Sequence, residues 1–233
     1  MDDPAVVQAE YQDERRLAAR KAAHAAGAEG PDAREVLFDA IAEARPRRIL
    51  EVGCGEGELA ERMQRELGAT VVAIDQSPRM VEIAQARGVD ARVGQAEDLQ
   101  FEDGRFDCVV AAWMLYHVRE LHRALAEMAR VLAPDGRLVA VTNSRDHCRE
   151  LYDLVGREPV RAVFRAEDAE ADLQAHFSSV ERRDAYGWLV FPDAAAAQTY
   201  VDSLVLLEGA RLPVVEGPIR VRRLPSIFIA EKA

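Results

Sequence analysis

Ile49-Leu-Glu-Val-Gly-Cys-Gly-Glu-Gly-Glu-Leu59 decides the fold of this chain: an apolar run, a turn with glycine at 53, 55 and 57, then a helix-forming segment. Glycines at alternate positions permit a tight turn and let the backbone approach a ligand closely. Outward from this stretch, short apolar runs alternate with helix-period segments from about residue 47 to 143. The strand candidates are Arg48–Val52, Thr70–Asp75, Ala91–Val93, Phe106–Ala111 and Arg137–Thr142. Three of them are nearly continuous apolar runs, as parallel strands covered on both faces require. Helices are expected at about 57–67, 78–87 and 119–132, with Gly68, Gly88 and Pro134 as stop signals. Strand, helix, strand, repeated, predicts an α/β chain with a doubly wound parallel sheet.

The flanks read differently. Residues 5–43 are rich in Ala, Glu and Arg and helical in pattern, with a break around Gly27-Ala-Glu-Gly-Pro31, so two helices precede the sheet. Beyond 145 the pattern predicts helices near 146–157 and 167–176, one strand near 179–190, a helix at about 193–207 and a last strand at Ser226–Ala230.

With 233 residues the chain has room for one α/β domain and is short for two. A formal net charge of -11 disfavours a nucleic-acid partner, since the average surface repels phosphate. Two basic runs, Arg45-Pro-Arg-Arg48 and Arg220-Val-Arg-Arg223, read as solvated charge or as a local patch. The three cysteines, Cys54, Cys108 and Cys148, have no metal-type spacing and read as reduced thiols, so no metal is expected. No apolar stretch is long enough to span a bilayer, and Met1-Asp-Asp-Pro4 lacks the order of a signal peptide. The expectation is a cytoplasmic protein without a membrane partner.

Around the glycine turn the charges are specific. Glu51 precedes the first glycine, and Glu56 and Glu58 sit within or just after the turn. A pyrophosphate there would meet three carboxylates and no lysine, whereas the ammonium and sulfonium of S-adenosylmethionine would be attracted. Asp75 ends the next strand candidate, where a carboxylate can take both hydroxyls of an adenosine ribose; the plainer reading is a turn or cap residue before Gln76-Ser-Pro78.

These residues carry a resemblance. Residues 47–143 resemble the core of class I S-adenosylmethionine-dependent methyltransferases, especially the small-molecule branch that includes ubiquinone- and menaquinone-biosynthesis enzymes. Glu51-Val-Gly-Cys-Gly-Glu-Gly57 is similar to the family's first motif, and Ala73-Ile-Asp-Gln-Ser-Pro-Arg-Met80 to its ribose segment, where Met80 would pack on the adenine. Gly94-Gln-Ala-Glu-Asp-Leu-Gln-Phe101 resembles the adenine segment, with Gln95 where the family usually has Asp. Phe106-Asp-Cys-Val-Val-Ala-Ala-Trp-Met-Leu-Tyr-His-Val118 and Arg130-Val-Leu-Ala-Pro-Asp-Gly-Arg-Leu138 resemble the fourth-strand motif and the entry to strand five.

The resemblance implies a three-layer Rossmann-like sandwich whose seven-stranded, mostly parallel sheet runs 3-2-1-4-5-7-6. It implies one domain over 1–233: a helical cap at 1–43, the cofactor core at 47–143, substrate-side insertions at 145–222 and the last strand at 223–233. For the cofactor it implies Arg20, Glu51, Gly53, Cys54, Gly55, Gly57, Asp75, Gln76, Met80, Gln95, Ala96, Glu97 and Ala112. Tyr11, His24, Trp113, Tyr116 and His117 are the candidates for the substrate pocket.

His117, just past the fourth strand, is the candidate general base, with pocket lining as the other reading and His24 as a second candidate. His122, His147 and His176 read as structural or exposed. Methyl transfer to a small molecule, on oxygen, nitrogen or carbon, is the function implied, by a monomer or homodimer. A dehydrogenase would want different glycine spacing, and a non-catalytic cofactor-binding module is the alternative left open by motifs that serve binding.

Overall fold

The computed structural model describes residues 14–159 and 162–232. Two helices open it, α1 (Glu14–Gly27) and α2 (Ala33–Glu43), joined through the short strand β1 (Ala28–Glu29). The Asp32 carboxylate caps α2 by accepting from the Arg34 amide, the expected chemistry for a helix start. The central run is β2 (Arg48–Val52), α3 (Glu58–Leu67), β3 (Thr70–Asp75), α4 (Pro78–Ala86), β4 (Asp90–Val93), β5 (Phe106–Ala112), α5 (Leu121–Val131) and β6 (Leu132–Asn143). Then follow α6 (Arg149–Leu154), α7 (Ala169–Gln174), β7 (Ser179–Asp184), β8 (Gly187–Phe191), α8 (Ala194–Asp202), β9 (Ile219–Arg223) and β10 (Pro225–Glu231).

Seven strands form one sheet in the order β4-β3-β2-β5-β6-β10-β7. In chain order of those strands this is the expected 3-2-1-4-5-7-6, with β10 antiparallel to both its neighbours and the five central strands parallel. Successive residues of each strand feed opposite faces. Leu50, Val52, Val109 and Ala111 pack on one side with α5 and α7, while Ile49, Cys108 and Val110 pack on the other with α2, α3 and α4. Both faces are therefore buried, which is why these strands read as unbroken apolar runs. All three cysteines are buried free thiols.

A third core lies outside the sandwich, built by Leu151, Leu189, Phe191, Tyr200, Val201 and Val221 among others. Its frame is a second sheet, β1-β8-β9, that the sequence reading missed. The single strand expected at 179–190 is two strands in two sheets: β7 on the edge of the large sheet and β8 in the small one, with Ala185 and Tyr186 at the crossover. The helix expected at 193–207 ends at Asp202, and a single 3-10 turn follows at Val205–Leu207. Glycine makes the small sheet possible. A Cβ at Gly187 would lie 2.1 Å from the Glu29 carbonyl oxygen, and one at Gly27 2.1 Å from that of Val190, so β1 and β8 close up only over bare backbone. Two arginines of the basic run at its edge are paired, Arg220 with Glu29 at 2.6 Å and Arg222 with Glu150 at 2.6 Å. Among the described residues no helix is long and apolar enough to cross a membrane.

Candidate active site

The glycine turn follows β2 at the carboxyl end of the sheet, where the strand order reverses between β2 and β5. Gly53, Gly55 and Gly57 all have positive φ, of 73°, 52° and 76°. Two of them make room inside the protein: a Cβ would come within 2.7 Å of the Met114 Cβ at Gly53 and of the Ala84 Cβ at Gly57. At Gly55 it would meet nothing within 4 Å, so this residue turns its backbone to open space. The turn's amides are largely spoken for. Gly53 and Cys54 donate to the Ile74 carbonyl, Gly57 donates to that of Cys54, and Gly55 donates to Asp75 Oδ2 at 2.9 Å. A phosphate would have to displace these bonds, unlike the open nest of amides at a phosphate loop.

Asp75 is fixed from two sides, since its Oδ1 also accepts from the Ser77 amide at 2.9 Å. Burial nevertheless raises its pKa. Glu51 is more extreme. It is 2% exposed, its Oε2 has no hydrogen-bond partner, and burial, reinforced by the charge of Asp75, pushes its pKa up to about 8. A buried carboxyl in this state lacks a cation. Glu56 and Glu58 do not share that condition, because Lys21 of α1 reaches them at 2.5 and 2.9 Å. The three carboxylates around the turn thus divide: two tie the cap to the turn, and Glu51 is left with Asp75.

Turn, strand ends and cap enclose a cavity of about 2050 Å³. Of the residues singled out in the sequence, Arg20, His24, Glu51, Gly53, Cys54, Gly55, Asp75, Gln76, Gln95, Ala96, Glu97, Ala112, Trp113, Tyr116 and His117 stand on its wall. Gly57 and Met80 do not. Gly57 sits behind the turn against Ala84, and Met80 is buried on α4. Tyr11 lies outside the described residues. The guanidinium of Arg20 donates to the Ser203 carbonyl at 3.1 Å, so it is held by the cap as well as facing the cavity. Glu97 accepts from the Arg119 amide at 3.1 Å and thereby joins the adenine-segment loop to the segment after β5.

Past β5 the chain makes an abrupt turn. Trp113 has φ 53°, an uncommon value for a bulky side chain, and its indole N–H donates to Asn143 at 3.4 Å. A single 3-10 turn, Leu115–His117, then brings Tyr116 and His117 to the cavity with their rings edge to face, 4.5 Å between centroids.

The sequence reading missed a second group on the wall. His147, expected to be structural or exposed, lines the cavity together with Cys148 and Arg223. Nothing local marks these residues; only the packing of the β6–α6 connection against α1, α8 and β9 brings them together. His122 and His176 are on the outside, 3.2 Å apart, and among the described residues no group of His, Cys, Asp and Glu could hold a metal.

Comparison with known proteins agrees with this geometry. Residues 50–140 match the model of a methyltransferase domain. An uncharacterised methyltransferase of Mycobacterium tuberculosis is 36% identical over 147 residues, 60% of each chain. A ubiquinone biosynthesis O-methyltransferase of Xanthomonas oryzae is 42% identical over 124 residues, 50% of this chain and 52% of its own. The chain thus spans between half and three fifths of the length of these relatives. Among solved structures, the YcgJ protein of Bacillus subtilis shares the fold at a TM-score of 0.60 and 21% identity, over 84% of this chain and 97% of its own. The glycine turn, Asp75 and the turn after β5 thus all lie within residues 50–140, the part of the chain that matches a methyltransferase domain.

Proposed function

We propose that this protein transfers a methyl group from S-adenosylmethionine to a small-molecule acceptor. The observation that carries the reading is the buried carboxyl of Glu51, one oxygen of which has no partner, beside Asp75 and under a turn whose Gly55 opens to the cavity. The residues fit the cofactor: an ammonium group would supply the cation Glu51 lacks, and Asp75 retains acceptor capacity for ribose hydroxyls beyond its two amide bonds. Gln95 and Ala96 would face the adenine, with Arg20 at the carboxylate.

When bound, the cofactor supplies an electrophilic methyl on a sulfonium; the chain's task is to bind, orient and exclude water. The cap is tied to the glycine turn through Lys21, which pairs with Glu56 and Glu58. Trp113 and Tyr116 shape the acceptor side, and His117 is placed there to take a proton from an acceptor hydroxyl or carbon acid. The likeness to a ubiquinone biosynthesis O-methyltransferase and the acidic net charge both favour a small molecule over a nucleic acid.

Calorimetric titration with S-adenosylhomocysteine tests the binding half. The unaltered protein is expected to bind, and Asp75→Ala to weaken binding by at least about tenfold; absence of binding by the unaltered protein would overturn the assignment. Incubation with labelled cofactor and extracts of the source cells tests transfer, and mass spectrometry of the labelled product names the acceptor atom. Binding without any labelled product would mark a module that holds the cofactor and does not turn it over.

A further inference from the structure

Where β9 and the β6–α6 connection wall it, the cavity is a chamber of unusual charge. Arg223 is 5% exposed and lines it, yet its hydrogen bonds end on the carbonyl oxygens of Glu29 and Pro31. Among the described residues no carboxylate pairs with it, and its Nε has no partner. A buried cation without a counter-charge is costly unless an anion completes the site.

His147 stands beside this charge. Its Nδ1 accepts from the Leu224 amide at 3.0 Å, which fixes the tautomer and leaves the proton on Nε2. Among the described residues Nε2 has no partner and is not sealed from the cavity. His24, across from Tyr200 at 6.1 Å between ring centroids, likewise presents its ring to the cavity with no hydrogen bond among the described residues. Both imidazoles are held neutral. Burial is the main cause for each; Arg223, Arg34 and Arg20 oppose a charge on His24, and His24 and Arg223 oppose one on His147. The acids that face them, Asp32 toward His24 and Glu150 toward His147, do not reverse this, and Glu150 is already taken by Arg222.

We propose that the methyl acceptor carries an anionic oxygen group, a carboxylate or an ionised hydroxyl, docked in this chamber on His147 Nε2–H beneath the uncompensated charge of Arg223. His147 is then a positioning and specificity residue for the transfer reaction. The proposal rests on the methyltransferase reading for what the docked molecule is, though the chamber's charge stands on its own.

The test uses the full chain in a Trp188→Phe background, which leaves Trp113 on the cavity wall as the one tryptophan of two. Saturating S-adenosylhomocysteine fills the cofactor end, and benzoate, benzamide and benzylamine are titrated against Trp113 fluorescence. Benzoate is expected to bind at least about tenfold more tightly than the other two. His147→Asn separates roles: its Oδ1 replaces Nδ1 as acceptor for the Leu224 amide, while no donor remains at the Nε2 position. This variant is expected to keep its melting temperature and S-adenosylhomocysteine affinity and to lose benzoate affinity by about tenfold. Benzamide or benzylamine binding as tightly as benzoate, or benzoate affinity unchanged in His147→Asn, would overturn the proposal. Failure of the S-adenosylhomocysteine titration speaks instead against the cofactor reading, because benzoate selectivity can be measured without it.

Discussion

Replacing Glu51 by glutamine should stabilise the protein, and by an amount that grows with pH. In the folded chain the Glu51 carboxyl is 2% exposed with a pKa of about 8, against 4.5 for an open glutamate. Between those values the folded state keeps a proton that the unfolded chain has released, so stability falls as pH rises from the lower value to the higher. At 1.36 kcal/mol per pH unit the cost is about 2 kcal/mol at pH 6 and about 4 kcal/mol at pH 8. Glutamine cannot ionise and removes this dependence, while its own unpartnered amide adds an offset that does not change with pH. The diagnostic is therefore the widening of the gap rather than its size at one pH. Scanning calorimetry of both proteins from pH 6 to pH 8 should show the variant's advantage in melting temperature growing by roughly 4–8 °C. The same variant should bind S-adenosylhomocysteine at least about tenfold more weakly, having lost the anion that meets the ammonium. A gap that stays constant across this range would show that Glu51 is ionised in the free protein, and would refute the account of the turn given above.

Two further outcomes test the frame and the chemistry. Gly187→Ala should cost about 2 kcal/mol, a fall of roughly 4–8 °C in melting temperature, because its Cβ would meet the Glu29 carbonyl at 2.1 Å; a melting temperature within a degree of the parent would show that β1 is not held against β8. His117→Ala should lower turnover of the acceptor found by the labelling screen about a hundredfold while S-adenosylhomocysteine affinity stays within twofold; an unchanged rate would leave His117 as wall only.

What the sequence made legible was what is local and periodic. The β2–turn–α3 unit shows itself in eleven residues, because a strand, three glycines and a helix start are adjacent in the chain. The sheet order came through resemblance, and the structure bears it out strand by strand. The small sheet was not legible. β1 is two residues long, β9 reads as a charged edge, and Ser179 to Val190 contains no proline and one glycine, Gly187, which within a strand pattern reads as a bulge rather than a passage between sheets. Its determinants are Gly27 and Gly187, whose meaning appears only when a partner backbone stands 2.1 Å from a hypothetical Cβ. His147 was hidden for a similar reason. A lone histidine after a strand carries no pattern, and its fixed tautomer depends on the Leu224 amide 77 residues away.

The two ends of the cavity are unlike in charge, and that difference bears on the reaction proposed. The turn end holds Glu51 and Asp75 with a missing cation, and the cap end holds Arg223 with a missing anion. A net charge of -11 would by itself attract a cationic donor everywhere and repel an anionic acceptor. Arg223, which no carboxylate pairs among the described residues, offsets that repulsion on the part of the wall it lines. Arg223 and an anionic group on the acceptor would cancel each other's charge on the cavity wall, where unpaired charge is expensive. Neutral His24 and His147 suit that outcome, since neither adds a charge that would have to be cancelled in its turn.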